Sequence, residues 1–84
     1  MIVLQVYVSS DCWSCTESRK IVADVVPNFP EVALELLEMN GRALPEPVFA
    51  VPTYVLNGRV ISLGNPTRQE LSNMLQAALQ TPPR

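Results

Sequence analysis

Histidine is absent from this 84-residue chain, and lysine, glycine and cysteine are scarce, with one, three and two copies. Each scarcity removes a class of chemistry. Without imidazole there is no Ser-His-Asp or Cys-His catalysis, and the commonest zinc ligand is missing. Two cysteines cannot complete a four-thiolate metal site within one chain. Three glycines leave no glycine-rich phosphate loop for a nicotinamide or flavin, so no cofactor is expected. Six basic residues against eight acidic ones give a net charge of −2, with no electrostatic footprint for nucleic acid or an anionic membrane. Long apolar runs are missing as well. Met1-Ile2-Val3-Leu4 is too short for a signal-peptide core, and nothing approaches the roughly 20 apolar residues of a membrane helix. The expectation is a cytoplasmic protein.

What is present suffices for a core. Hydrophobic residues make up 48% and charged ones 17%, so residues 1–84 read as one domain. Ile2 to Val8 is rich in β-branched and aromatic residues and carries no charge, the pattern of a strand buried on both faces. Ser9-Ser10-Asp11 then favours a turn and a helix N-cap, with Asp11 the expected cap. From about Cys12 the spacing turns helical, and Ile21, Val22, Val25 and Val26 share one face. Pro27 and Pro30 end that helix.

Glu31 to Asn40 supports two readings. Its composition favours a helix closed by Asn40-Gly41, while Val32, Leu34 and Leu36 alternate as in a strand. Pro45 and Pro47 allow at most a short or broken helix around Leu44 to Val48. The last third is plainer. Thr53 to Leu56 and Arg59 to Leu63 are strands joined by Asn57-Gly58, a strong hairpin signal. Gly64 breaks the second strand. A final helix then begins with Asn65 as cap and Pro66 at its first position, or with a Thr67/Glu70 capping box. Leu71, Met74, Leu75, Ala78 and Leu79 form its apolar stripe, and Pro82-Pro83 stops it.

Cys12-Trp13-Ser14-Cys15 lies between the first strand and the first helix. The i, i+3 spacing puts both sulfurs on one helical face, within reach of a disulfide. Cys12 falls at the helix N-terminus, where free N–H groups and the macrodipole favour an anion, so its pKa should drop below the free value of about 8.5. Cys15, one turn inward, should be more buried and less ionised. An exposed thiolate that attacks and a neighbour that resolves is the arrangement thiol–disulfide exchange needs. A Cys-x-x-Cys within a strand–helix–strand unit is a stronger redox signal than the motif alone. Two other readings stay open: an inert buried pair, and a metal half-site completed by a second chain.

Three landmarks in order, Cys12-Trp13-Ser14-Cys15, Val51-Pro52-Thr53, and Leu56-Asn57-Gly58-Arg59-Val60 with Gly64 before the last helix, resemble the thioredoxin family over nearly the whole chain. The family's extra N-terminal strand and helix are missing, and the length is nearer to glutaredoxins and small archaeal-type thioredoxins. The resemblance implies an α/β thioredoxin-like fold, β-α-β-(short α)-β-β-α, with a four-stranded mixed sheet flanked by helices. It turns residues 32–37 toward strand. It also implies a cis Val51-Pro52 peptide packed against the cysteines, with the Val51 backbone offered to an extended substrate segment.

Departures from the family matter too. Thioredoxins keep a buried aspartate on the strand beneath the second cysteine, with a lysine nearby, whereas Ile2 to Val8 holds no acid or base. Glu35 and Glu38 read as a solvated strand edge. Glutaredoxins hold glutathione with a basic residue before the cysteine pair and an acidic one at the start of the last helix. Ser10-Asp11 and Gly64-Asn65-Pro66-Thr67 match neither, and Arg68 reads as a solvent-facing arginine, so glutathione is a weakly supported partner.

The resulting expectation is a thiol–disulfide oxidoreductase acting on protein disulfides. Cys12 attacks, Cys15 resolves, Pro52 shapes the groove, Val51 pairs with substrate, and Trp13 with Phe49 supplies apolar contact. Electrons come from a separate reductase. The alternatives are a non-catalytic binding or redox-sensing module on the same fold, and a metal or iron–sulfur carrier.

Overall fold

A four-stranded mixed sheet carries the fold, described by a computed structural model for residues 2–46, 48 and 50–80. Its first strand, β1 (Ile2–Val8), lies in the interior of the sheet, where a segment without charge belongs. β1 pairs in parallel with the edge strand β2 (Val32–Glu38) and antiparallel with β3 (Thr53–Leu56), which pairs antiparallel with β4 (Arg59–Leu63). The ambiguous segment is therefore a strand. All seven residues from Val32 to Glu38 lie beside β1, from Ile2↔Val32 to Val8↔Glu38. A helix there would have left one edge of β1 without hydrogen-bond partners, which outweighs local helix propensity.

Helix α1 (Trp13–Val25) crosses between β1 and β2, followed by a short 3₁₀ turn (Val26–Asn28) that contains Pro27. Helix α2 (Arg68–Gln80) follows β4. Both helices pack on the sheet face built from Leu4, Val6, Val8, Tyr54 and Leu56, against which Ile21, Val22, Val25, Leu71 and Leu75 are buried. Burial of each such side chain stabilises the fold by roughly 1.5–3 kcal/mol. Leu34 and Leu36 share that face by register, yet they stay exposed on the edge strand.

The opposite face is covered differently. Tyr7, Val55 and Val48 form a second, smaller cluster with Leu37, Met39, Leu44, Val51 and Val60. No helix lies among the described residues between β2 and β3, so the short helix expected there is replaced by turns, one closed by the Val48 N–H to the Pro45 carbonyl at 2.7 Å. Prolines at 45 and 47 lack an N–H and push the preceding residues toward extended backbone, so helical hydrogen bonding cannot propagate. Pro47, Phe49 and the Pro82-Pro83 stop lie outside the described residues.

At the hairpin, Asn57 and Gly58 both have positive φ (50° and 82°), as the two-residue turn between twisted strands requires. Asn57 also ties the turn to β1: its Oδ1 accepts from the Val3 N–H at 2.8 Å and its N–H donates to the Val3 carbonyl at 2.9 Å. Of the two candidate caps for α2, the Thr67/Glu70 box forms. The Glu70 N–H donates to Thr67 Oγ1 at 3.0 Å, and the Thr67 N–H donates to Glu70 Oε1 at 2.8 Å.

Candidate redox site

β1 and β2 run in parallel, and the chain leaves the C-terminal end of β1 at Val8 to reach Cys12 four residues later. Cys12 is itself the N-cap of α1. Its backbone is extended (φ −97°, ψ 112°), and its Sγ accepts a hydrogen bond from the Cys15 N–H at 3.1 Å. The expected cap, Asp11, is displaced: the sulfur takes the role the carboxylate was expected to play, and Asp11 is exposed one residue earlier. Cys15 lies inside the first turn and is fully buried, whereas Cys12 is partly exposed. The two are joined as a disulfide with Cα atoms 5.1 Å apart. The pair thus consists of a partly exposed cysteine whose sulfur accepts an N–H at the start of α1, and a fully buried cysteine behind it.

The approach to Cys12 is held from the side. Ser10 donates its N–H to Asn40 Oδ1 at 2.7 Å, and Met39 donates to the Val8 carbonyl at 2.8 Å. Across the sheet, Tyr7 stands opposite Thr53 in the antiparallel pairing, so the segment entering β3 reaches the same end of the sheet as Cys12. In that segment the Val51–Pro52 peptide is cis. Pro52 is buried, while Val51 is half-buried and, like Cys12, packs against the main core. The Pro52 carbonyl accepts the Gly64 N–H at 2.8 Å, and Thr53 Oγ1 donates to the Ala50 carbonyl at 2.6 Å. Trp13, the residue after Cys12, is 90% exposed.

No family model matches the sequence. Among curated proteins, thioredoxin from Methanocaldococcus jannaschii is 26% identical over 82 residues, an alignment covering 93% of this chain and 96% of that protein. Among solved structures, a mutant thioredoxin from Halobacterium salinarum superposes with a TM-score of 0.71 at 18% identity, covering 98% of this chain and 78% of that one. The chain is similar to thioredoxin over nearly its whole length, and its fold is thioredoxin-like. Like a thioredoxin's, its Cys-x-x-Cys pair lies at the start of the helix that follows the first strand, and here the pair closes a disulfide.

Against the thioredoxin pattern, the other residues weighed in the sequence fall as follows. Glu35 accepts from Gln5 Nε2 at 2.9 Å on an exposed edge. Glu38 is engaged by Arg19 and Asn40, and the Arg19 guanidinium holds its carboxyl below the ordinary range. Arg68 is not a free surface cation. Its Nε donates to Asp24 Oδ2 at 2.8 Å, and its Nη1 lies 3.7 Å from Glu17 Oε1. Two carboxylates of α1 already occupy the guanidinium. Phe49 is not among the described residues. Within them, no three His, Cys, Asp or Glu side chains converge as a metal site would, and no helix is long and apolar enough to cross a membrane.

One group of site residues has no counterpart in the sequence reading. Asn65 does not cap α2. Its Oδ1 accepts from Ser18 Oγ at 2.5 Å and from Tyr54 Oη at 3.0 Å, and its Nδ2 donates to the Ser14 carbonyl at 2.8 Å. Ser18 and Tyr54 are both fully buried. Burial pushes the Tyr54 phenol above its ordinary 10.0. A sequence signal existed for Ser18: it occupies the i−3 and i−4 position of Ile21 and Val22, a polar residue on the apolar stripe. Nothing local pointed to Asn65, whose partners are distant in the chain.

Proposed function

We propose that this protein is a thiol–disulfide oxidoreductase that exchanges disulfides with protein substrates through Cys12 and Cys15. The observation that carries this reading is the asymmetry of the pair: a partly exposed Cys12 whose sulfur accepts a helix N–H, with Cys15 fully buried one turn behind. In the reducing direction the Cys12 thiolate attacks one sulfur of the substrate disulfide. A Cys12–substrate disulfide forms and the first substrate thiolate leaves. The Cys15 thiolate then attacks Cys12 Sγ, closing the Cys12–Cys15 bond and releasing the second substrate thiolate. The substrate gains two electrons and two protons, and the protein's dithiol becomes its disulfide.

Helix N–H groups and the macrodipole stabilise Cys12 as a thiolate by an amount on the order of 1 kcal/mol. Cys15 has no acid or base on β1 to take its proton, so water reaching the opened mixed disulfide is its acceptor. The half-buried Val51 offers backbone to an extended substrate segment, Pro52 shapes the groove wall, and the exposed Trp13 supplies apolar contact. Main-chain pairing of this kind binds many sequences. A separate reductase returns the pair to the dithiol, and the reducing cytoplasm suits that cycle.

The test is two measurements on one preparation. Alkylation of reduced protein against pH should give Cys12 a pKa below that of a free thiol, and catalytic amounts should accelerate reduction of a protein disulfide by dithiothreitol. A Cys12 that titrates as an ordinary thiol, with no acceleration, returns the chain to the binding-module reading.

A further inference from the structure

We infer that Asn65 is a positioning residue for Cys12, acting through the single peptide unit that joins Ser14 to Cys15. The two ends of that unit are both engaged. Its N–H, on Cys15, is shared between Cys12 Sγ at 3.1 Å and the Cys12 carbonyl at 3.2 Å, and its carbonyl, on Ser14, accepts from Asn65 Nδ2 at 2.8 Å. Hydrogen bonds in series polarise one another: a donor on the carbonyl draws electron density from the amide and makes its N–H a stronger donor. Reduction replaces the disulfide sulfur by a thiolate at the same place, where a stronger donor matters most. Asn65 thus reaches the nucleophile without touching it.

The orientation of the Asn65 amide is fixed by chemistry. Ser18 has one hydroxyl proton, and the nearer acceptor is Asn65 Oδ1 at 2.5 Å, against 3.3 Å to the Ser14 carbonyl. Tyr54 donates to the same Oδ1. Turning the amide over would set its oxygen 2.8 Å from the Ser14 oxygen, two acceptors facing one another with no proton between them. The two buried hydroxyls therefore aim Nδ2 at Ser14. Gly64, with φ +87°, makes the turn that brings Asn65 back over α1, a conformation a side chain would strain.

This inference rests on Cys12 being the attacking thiolate. The experiment is the alkylation rate of reduced, full-length protein against pH, with the Cys15 amide proton followed by NMR. Asn65→Ala should raise the Cys12 pKa, slow alkylation below that pKa by about twofold to fivefold, and move the Cys15 amide proton upfield. Since the thiolate belongs to the reduced form, its potential against a glutathione buffer should become more negative. Tyr54→Phe, nearly neutral in core volume, should shift the titration the same way by a smaller amount. Val25→Ala, which weakens α1 from the core side, should lower stability and leave the titration in place.

Folded Asn65→Ala or Tyr54→Phe protein with the wild-type titration and an unmoved Cys15 amide overturns the inference and leaves the functional reading intact. A wild-type Cys12 that titrates like a free thiol overturns both.

Discussion

Arg68, the first residue of α2, donates from Nε to Asp24 Oδ2 near the end of α1 at 2.8 Å. The bond ties the two helices together on the outside while Leu71 and Leu75 pack beneath. An exposed pair of this kind is worth about 0.2–1 kcal/mol and is screened by salt. Arg68→Ala should therefore lower the urea midpoint slightly at low ionic strength, with the difference shrinking in high salt. The rate at which glutathione reduces the disulfide should not change. A large drop in that rate would show that the guanidinium leaves its carboxylates to meet glutathione.

Cys15→Ser should stop the cycle at its midpoint. With Cys12 free to attack and no resolving thiol behind it, a covalent adduct with a substrate protein accumulates, visible on a non-reducing gel and cleaved by dithiothreitol. Cys12→Ser should give no such adduct, because Cys15 is fully buried. Equal trapping by the two variants would contradict the assigned order of attack.

High pH should weaken the fold through Tyr54. Burial raises the phenol's folded pKa above its ordinary 10.0, so the protonated form is favoured in the native state. That contribution is complete below the unfolded pKa, and it is lost as pH rises through about 10 toward the folded value. The urea midpoint should fall across that window, and Tyr54→Phe should flatten the decline. An equally steep decline in Tyr54→Phe would assign the loss to other groups.

Trp13 is exposed beside Cys12, the proposed nucleophile, and an aromatic anchor at an interface commonly carries more than about 1 kcal/mol. Trp13→Ala should raise KM for a protein disulfide by about tenfold, an effect on the order of 1.4 kcal/mol, with kcat nearly unchanged. Small disulfides, which do not reach the indole, should be reduced at the wild-type rate. Loss of activity toward both substrates would point to damage at Cys12 instead.

Thr67 and Glu70 satisfy each other's backbone N–H groups at the start of α2. Thr67→Ala removes the acceptor for the Glu70 N–H and should cost about 1 kcal/mol in urea unfolding, without altering alkylation of Cys12. A change in the titration would mean that the α2 start is coupled to the site more tightly than through Asn65.

Much of this was legible in the chain itself. The uncharged run Ile2–Val8, the Asn57-Gly58 turn, the stripe from Leu71 to Leu79 and the Cys12/Cys15 spacing each depend on neighbours within a few residues, so their structure follows from local rules of backbone geometry and periodicity. Tertiary structure decided the rest. Val32–Glu38 became a strand because β1 had an edge to satisfy, and the sulfur of Cys12 displaced Asp11 as the cap of α1. Arg68 found two carboxylates on another helix, and Asn65 left the helix it precedes to hold Ser14 from 51 positions away. Hydrogen bonds between distant residues form only where the whole fold brings their atoms within about 3 Å, and no local pattern encodes that distance.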